Sequence, residues 1–195
     1  MEAYQGRPYC DAVSGEVRHV IPGKIFLAYY DLGGEGVAYH DTIPFNQGNG
    51  TLNPLNGTYK NGFRHEESVD VSYMKADFDF TDENFARPDP DLFYVGWTEP
   101  GEWLNYTVDV RKTAAYRVDF FCSAAKDAKI RLLLDGLPLT DEILIPSTSS
   151  PHVWTHLTDI AGCSLTEGKH VLTLCTAETG LMNYVYLEFV MKKGE

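Results

Sequence analysis

The chain has 195 residues, 44% of them hydrophobic and 23% charged, with a formal net charge of −12. That composition is globular rather than disordered, and its length suits one all-β domain with long loops. The acidic balance excludes a nucleic-acid partner, which would need clustered Lys and Arg, and no apolar run approaches the ~20 residues that cross a bilayer.

Met1–Tyr4 shows no basic stretch followed by an apolar run, so no signal segment is read there. Residues 1–20 read as an N-terminal extension and residues 43–93 as a long loop region of one domain spanning 1–195. Within that region Asn46–Phe63 is rich in Gly, Asn and Pro. Asp77–Asp91 carries Asp77, Asp79, Asp82, Glu83, Asp89 and Asp91 and reads as a solvated acidic loop. It lacks the Asp-x-Asp-x-Asp-Gly frame of a calcium loop.

From Val95 onward short strands are legible. Glu102–Val110 alternates strictly: Leu104, Tyr106, Val108 and Val110 share one face, and Asn105, Thr107 and Asp109 the other. Tyr116–Cys122 repeats the pattern, and Lys129–Leu134 runs into the hairpin signal Asp135-Gly136. Glu142–Ile145, Trp154–Ile160, His170–Thr176 and Tyr184–Val190 complete the set, with turn signals about every 8–12 residues. The expectation is an all-β antiparallel β-sandwich. Its inward faces should carry Leu104, Tyr106, Val108, Val118, Phe120, Leu132, Leu134, Leu172, Leu174 and Phe189.

Four cysteines, at 10, 122, 163 and 175, are spaced too widely for a zinc knuckle. They allow three disulfide pairings, between which the sequence does not choose. Glu99 and Glu102 flank Pro100-Gly101. Paired carboxylates can do glycosidase chemistry, but here a turn with Glu102 anchoring backbone amides is the better reading. Trp97 and Trp103 flank the same turn, and Trp97 is a candidate wall for a ligand cleft.

Three stretches carry a resemblance. Ile21–Ile25 is followed by Tyr30-Asp31-Leu32-Gly33-Gly34-Glu35-Gly36-Val37-Ala38-Tyr39-His40-Asp41; then come Val95–Val108 with Gly101-Glu102-Trp103-Leu104-Asn105-Tyr106, and Gly168–Leu174 leading to Asn183–Phe189. In this order the chain resembles the family-six carbohydrate-binding modules. The resemblance implies a β-jelly-roll, no catalysis, and a secreted, periplasmic or cell-surface setting as an accessory domain of a glycoside hydrolase. The partner would be a polysaccharide or oligosaccharide, not a nucleic acid or membrane, and the module would be a monomer or part of a longer chain. A structural sandwich that has lost sugar binding is the alternative.

The resemblance further implies a loop-end sugar cleft, with Tyr39 as the stacking platform and Asn183 bonding sugar hydroxyls. His40 and Asp41 would add polar rim contacts, and Trp97 or Trp154 a second wall. The family's platform tryptophan falls at Pro151 in this chain, so Trp154 or His152 would have to serve instead. The family's structural calcium is expected to be absent, leaving no cofactor: Phe26, Ala28 and Val185 stand where its carboxylates would be.

Overall fold

The computed structural model describes residues 4–192. In chain order the strands are β1 (Cys10–Asp11), β2 (Gly15–Glu16), β3 (His19–Ile21), β4 (Gly23–Phe26), β5 (Tyr39–His40), β6 (Val71–Tyr73), β7 (Phe93–Val95) and β8 (Trp103–Val110). They continue as β9 (Ala114–Ala124), β10 (Ala128–Leu134), β11 (Leu137–Pro138), β12 (Ile143–Ile145), β13 (Thr155–Leu165), β14 (Gly168–Glu178) and β15 (Met182–Met191). The regular helix is one turn, α1 (Tyr59–Gly62), with a 3-10 turn at Leu27–Tyr29.

Two sheets face each other. One has the order β11-β10-β14-β8-β3, with β12 beside β10 and β5 beside β8; the other runs β13-β9-β15-β7-β6, with β4 beside β15. Pairing is antiparallel except between β3 and β8. The register matches the alternation in sequence. Leu104 faces Leu174 and Tyr106 faces Leu172 across β8 and β14, while Phe120 faces Leu187 and Val118 faces Phe189 across β9 and β15. Period-2 geometry then sends these side chains into one layer between the sheets. All the expected inward residues are buried there except Leu134, which is half-buried at the margin. The chain is thus an antiparallel β-sandwich with a jelly-roll path. Asp135 and Gly136 both adopt positive φ (51° and 77°), the hairpin turn that Asp-Gly favours.

Two stretches differ from expectation. Residues 4–20 are not an appended tail: β3 joins the larger sheet, and Tyr9 is buried in the core. Residues 43–93 contain α1, β6 and the start of β7, and pack inward through aromatic rings. Phe63 stacks on Phe93 at 3.9 Å, with Tyr9, Tyr29 and Tyr59 edge-on or tilted around them. Arg64 seals this insertion. Its guanidinium is buried against the Tyr30 ring, donates to the carbonyls of Tyr30 (2.7 Å) and Asp31 (3.1 Å), and pairs with Glu67 at 2.8 Å. A buried charge persists only when paired and hydrogen-bonded in this way.

The smaller sheet is covered on both faces. Phe93 and Val95 enter the main core, while Tyr94 between them points outward; Phe120 enters and Phe121 points outward. Tyr94 and Phe121 join Met74, Trp154, Val185 and Tyr186 in a satellite cluster. Phe80, Ala86 and Leu92 cover it, so the acidic segment is also a lid, while Asp77, Asp82, Glu83, Asp89 and Asp91 stay exposed to solvent as expected. Asp79 fastens that lid from a fully buried position. Its carboxylate accepts from Lys75 N (2.8 Å) and Trp154 Nε1 (3.0 Å) and meets His152 Nδ1 at 2.8 Å.

All four cysteines are free.

Candidate functional site

The sheet registers bring four loops to one end of the sandwich. Tyr39 pairs with Leu104 and His40 with Trp103, while Tyr184 pairs with Val95 and Asn183 with Ser123. The turns after β5 and β7, the β12–β13 loop and the β14–β15 turn therefore converge. Two hollows lie there, on either side of Gly96.

The first hollow, about 180 Å³, is lined by Trp97, Pro151, His152, Leu181 and Asn183. Trp97 sits at φ 49°, a conformation uncommon for a bulky residue and held by its neighbours. Thr98 next to it donates to the Met182 carbonyl at 3.3 Å. Asn183 donates from Nδ2 to the Pro151 carbonyl (2.6 Å), which also accepts from Ser123 Oγ at 2.5 Å. Gly96 is required for close approach: a methyl group on it would collide with the Asn183 side-chain carbonyl. Gly96→Ala is expected to displace the Asn183 amide. It should weaken binding of any ligand held in this hollow while the sheets stay intact, as read by calorimetric titration beside a circular dichroism spectrum. Unchanged affinity would show that the amide's position is immaterial.

His152 reaches the hollow from the other side, its ring edge-on to Phe78 at 4.8 Å and its Nδ1 held by Asp79. Leu181 is exposed. The hollow therefore offers an indole, an aliphatic wall, an amide and an imidazole.

The second hollow, about 350 Å³, is lined by Glu35, Tyr39, Asp41, Thr42, Pro44, Glu66 and Ser68. Glu35 meets His40 Nδ1 at 2.5 Å and accepts from Asp41 N at 3.1 Å. Between the two hollows a narrow crevice gathers Asp41, Asp70 and Glu102 beside Tyr184. Glu102 accepts from Thr42 Oγ1 (2.8 Å) and Glu99 N (2.8 Å), so it organises two turns, as the sequence reading holds.

Burial pushes the Asp41 carboxyl up to about 7, with help from Glu102, Asp70 and Glu35. Burial also pushes Asp70 up to about 6, with Glu102 and Glu99 adding to it. An acid whose pKa is raised on folding takes up protons as the chain folds, so its contribution to stability falls as pH rises from about 4 to about 7. Asp41→Asn keeps an oxygen for Ile43 N, which Asp41 Oδ1 now accepts at 2.8 Å. It is expected to raise the melting midpoint at about pH 8 and to leave it nearly unchanged at about pH 4. A midpoint that falls at the higher pH would contradict a cost of burying the charged Asp41 carboxylate.

The six residues expected at the cleft are thus divided. Trp97 and Asn183 line the first hollow together. Tyr39, His40 and Asp41 lie on the other side of Gly96. Tyr39 is only 6% exposed, its ring packed edge-on to Tyr30 at 5.4 Å, so it presents no open face for stacking. Trp154 has no exposed surface and cannot be a wall of any cleft; its ring closes the satellite cluster instead. Leu181 went unnoticed in the sequence, where a single exposed leucine in a turn carries no signal.

The family model for carbohydrate binding module (family 6) matches residues 86–191, more than half of the chain. The chain belongs to that family. It is therefore a non-catalytic carbohydrate-binding module. Solved structures share its fold. A family 6 module of Clostridium stercorarium, solved with cellobiose, matches at TM-score 0.57 and 14% identity, over 90% of this chain and 98% of that one. A β-1,3-glucan-binding family 6 module of Bacillus halodurans matches at TM-score 0.54 and 14% identity, over 89% and 98%. A family 43 arabinoxylan arabinofuranohydrolase of Bacillus subtilis matches at TM-score 0.57 and 14% identity, over 95% of this module and 33% of the hydrolase. A comparison with curated proteins found no match.

The residues at the family's calcium positions do not fit that ion. Phe26 packs edge-on to Tyr186 at 5.7 Å, and Ala28 and Val185 are buried among apolar side chains. None supplies a side-chain oxygen, which calcium requires several times over.

Proposed function

We propose that this module binds a neutral glycan in the hollow formed by Trp97, Pro151, His152, Leu181 and Asn183, and so holds an attached glycan-degrading enzyme, outside the cell, on its polysaccharide. The observation that carries the reading is the meeting of Trp97 and Asn183 in one concave site. A pyranose is apolar on its faces and polar around its rim. An indole beside an amide answers both. None of the five lining residues is a carboxylate, a lysine or an arginine, which suits an uncharged sugar. The cellobiose and β-1,3-glucan named for modules of the same fold, and the hydrolase that contains such a fold, support the same reading.

Affinity electrophoresis through gels containing hydroxyethylcellulose, laminarin, xylan and arabinoxylan tests it. Retardation on at least one neutral polymer is expected. A sandwich that has lost sugar binding, the alternative to which Pro151 lends weight, migrates alike in all gels.

Folding of this module is further proposed to be independent of calcium, because packing fills the family's site at Phe26, Ala28 and Val185. Melting with and without a chelator is expected to give the same midpoint. A midpoint lowered by chelator would reveal a calcium site elsewhere.

A further inference from the structure

We propose that His152 is a specificity-determining residue of the Trp97–Asn183 hollow, and that the buried Asp79 positions it so that Nε2 faces the ligand as a hydrogen-bond acceptor. This rests on the reading of that hollow as the glycan site.

The Asp79 carboxylate is fully buried and surrounded by donors. Lys75 N–H reaches Oδ2 at 2.8 Å, and Trp154 Nε1–H reaches Oδ1 at 3.0 Å. His152 Nδ1 lies 2.8 Å from the same Oδ1. A carboxylate serving these donors can only accept, so the third contact requires a proton on Nδ1. A neutral imidazole carries one N–H, and its other nitrogen is then a lone pair. No residue among those described is bonded to Nε2. The ring is fixed in orientation by Asp79 at one edge and by Phe78 against it at 4.8 Å. The side chain is about a third exposed and lines the hollow.

The consequence is chemical. An imidazole lone pair accepts a hydrogen bond from a sugar hydroxyl. A sugar carboxylate has none to give and meets a lone pair instead. Asn183 brings only one further N–H to the hollow, since the other is committed to the Pro151 carbonyl. The hollow is therefore built for neutral pyranoses over uronic acids, through a nitrogen whose tautomer is set by Asp79. That carboxylate is 73 residues away in sequence.

The test combines two readouts. Long-range proton–nitrogen correlation spectra of the unmodified module at about pH 8 report which ring nitrogens carry protons. The His152 signals are assigned by their loss in His152→Asn. Protonation at Nδ1 is expected, and protonation at Nε2 would overturn the proposal.

The second readout is titration with cellohexaose, laminarihexaose and trigalacturonate. Asn at 152 keeps an N–H for Asp79 but lacks the Nε2 acceptor. His152→Asn is therefore expected to retain the parent's melting midpoint and to lose roughly tenfold in affinity for the neutral hexaose that binds. If His152→Asn binds as the parent does while Trp97→Ala does not bind, the role of His152 is refuted and the hollow stands. If Trp97→Ala binds as the parent does, or no neutral hexaose binds, the hollow itself is refuted. Should His152→Asn fail to fold, the unmodified module still decides: trigalacturonate bound as tightly as the neutral hexaose would overturn the proposal.

Discussion

Trp154→Ala is expected to destabilise the module by about 3–5 kcal/mol, the usual cost of removing a large ring from a packed core. For a domain of this size that lowers the melting midpoint by roughly 6–20 °C. The ring has no exposed surface and stacks on Phe121 at 5.9 Å, tilted against Tyr94 at 5.4 Å. Its backbone also pins the lid over residues 75–92: Ala86 N donates to the Trp154 carbonyl at 3.0 Å, and Trp154 N donates to Asn84 Oδ1 at 2.8 Å. Deleting the indole opens a cavity and removes one donor from a buried carboxylate, two penalties in the same place. Trp154→Phe partly separates them, because it keeps one six-membered ring in the cluster and loses the N–H to Asp79. It should cost about 1–3 kcal/mol. Thermal melts of both variants check this. A loss in Trp154→Ala no larger than in Trp154→Phe would mean that the ring's packing contributes little.

Trp97→Ala is expected to act on binding instead. The indole is half-buried at the edge of the satellite cluster and forms one wall of the hollow. By analogy with aromatic stacking on nucleobases, losing such a platform costs about 1–3 kcal/mol, a fall of roughly 5- to 150-fold in affinity. The melting midpoint should fall much less than in Trp154→Ala. Tyr39→Ala should show the opposite balance. Its ring is core, packed on Tyr30, so stability drops while a glycan at Trp97 is still bound. Isothermal titration paired with melts of the three variants separates these outcomes. If Tyr39→Ala abolishes binding at an unchanged midpoint and Trp97→Ala does not, the site lies in the second hollow.

The strands of the second half were legible because their signal is local. In Trp103–Val110 a two-residue period is enough to decide which side chains enter the core, and the structure places Leu104, Tyr106, Val108 and Val110 there. Asp135-Gly136 likewise carries its own turn geometry. The motif stretches that resemble family 6 were also fixed by residue identity alone, and they mark both the fold and the end of the sandwich where its loops meet.

Exposure in the loops was not legible, because it depends on contacts between distant segments. Nothing near Trp154 in sequence says whether its ring faces water. The lid that buries it is held by Asp79, 75 residues away. Arg64 reads as a surface cation until the carbonyls of Tyr30 and Asp31 and the Glu67 carboxylate enclose it. Tyr39 follows a glycine-rich turn that suits an exposed platform, yet its ring packs on Tyr30. A strand repeats its pattern every two residues and so announces its buried face, whereas a loop has no repeat. Which aromatic becomes wall and which becomes core was therefore decided only when the chain closed.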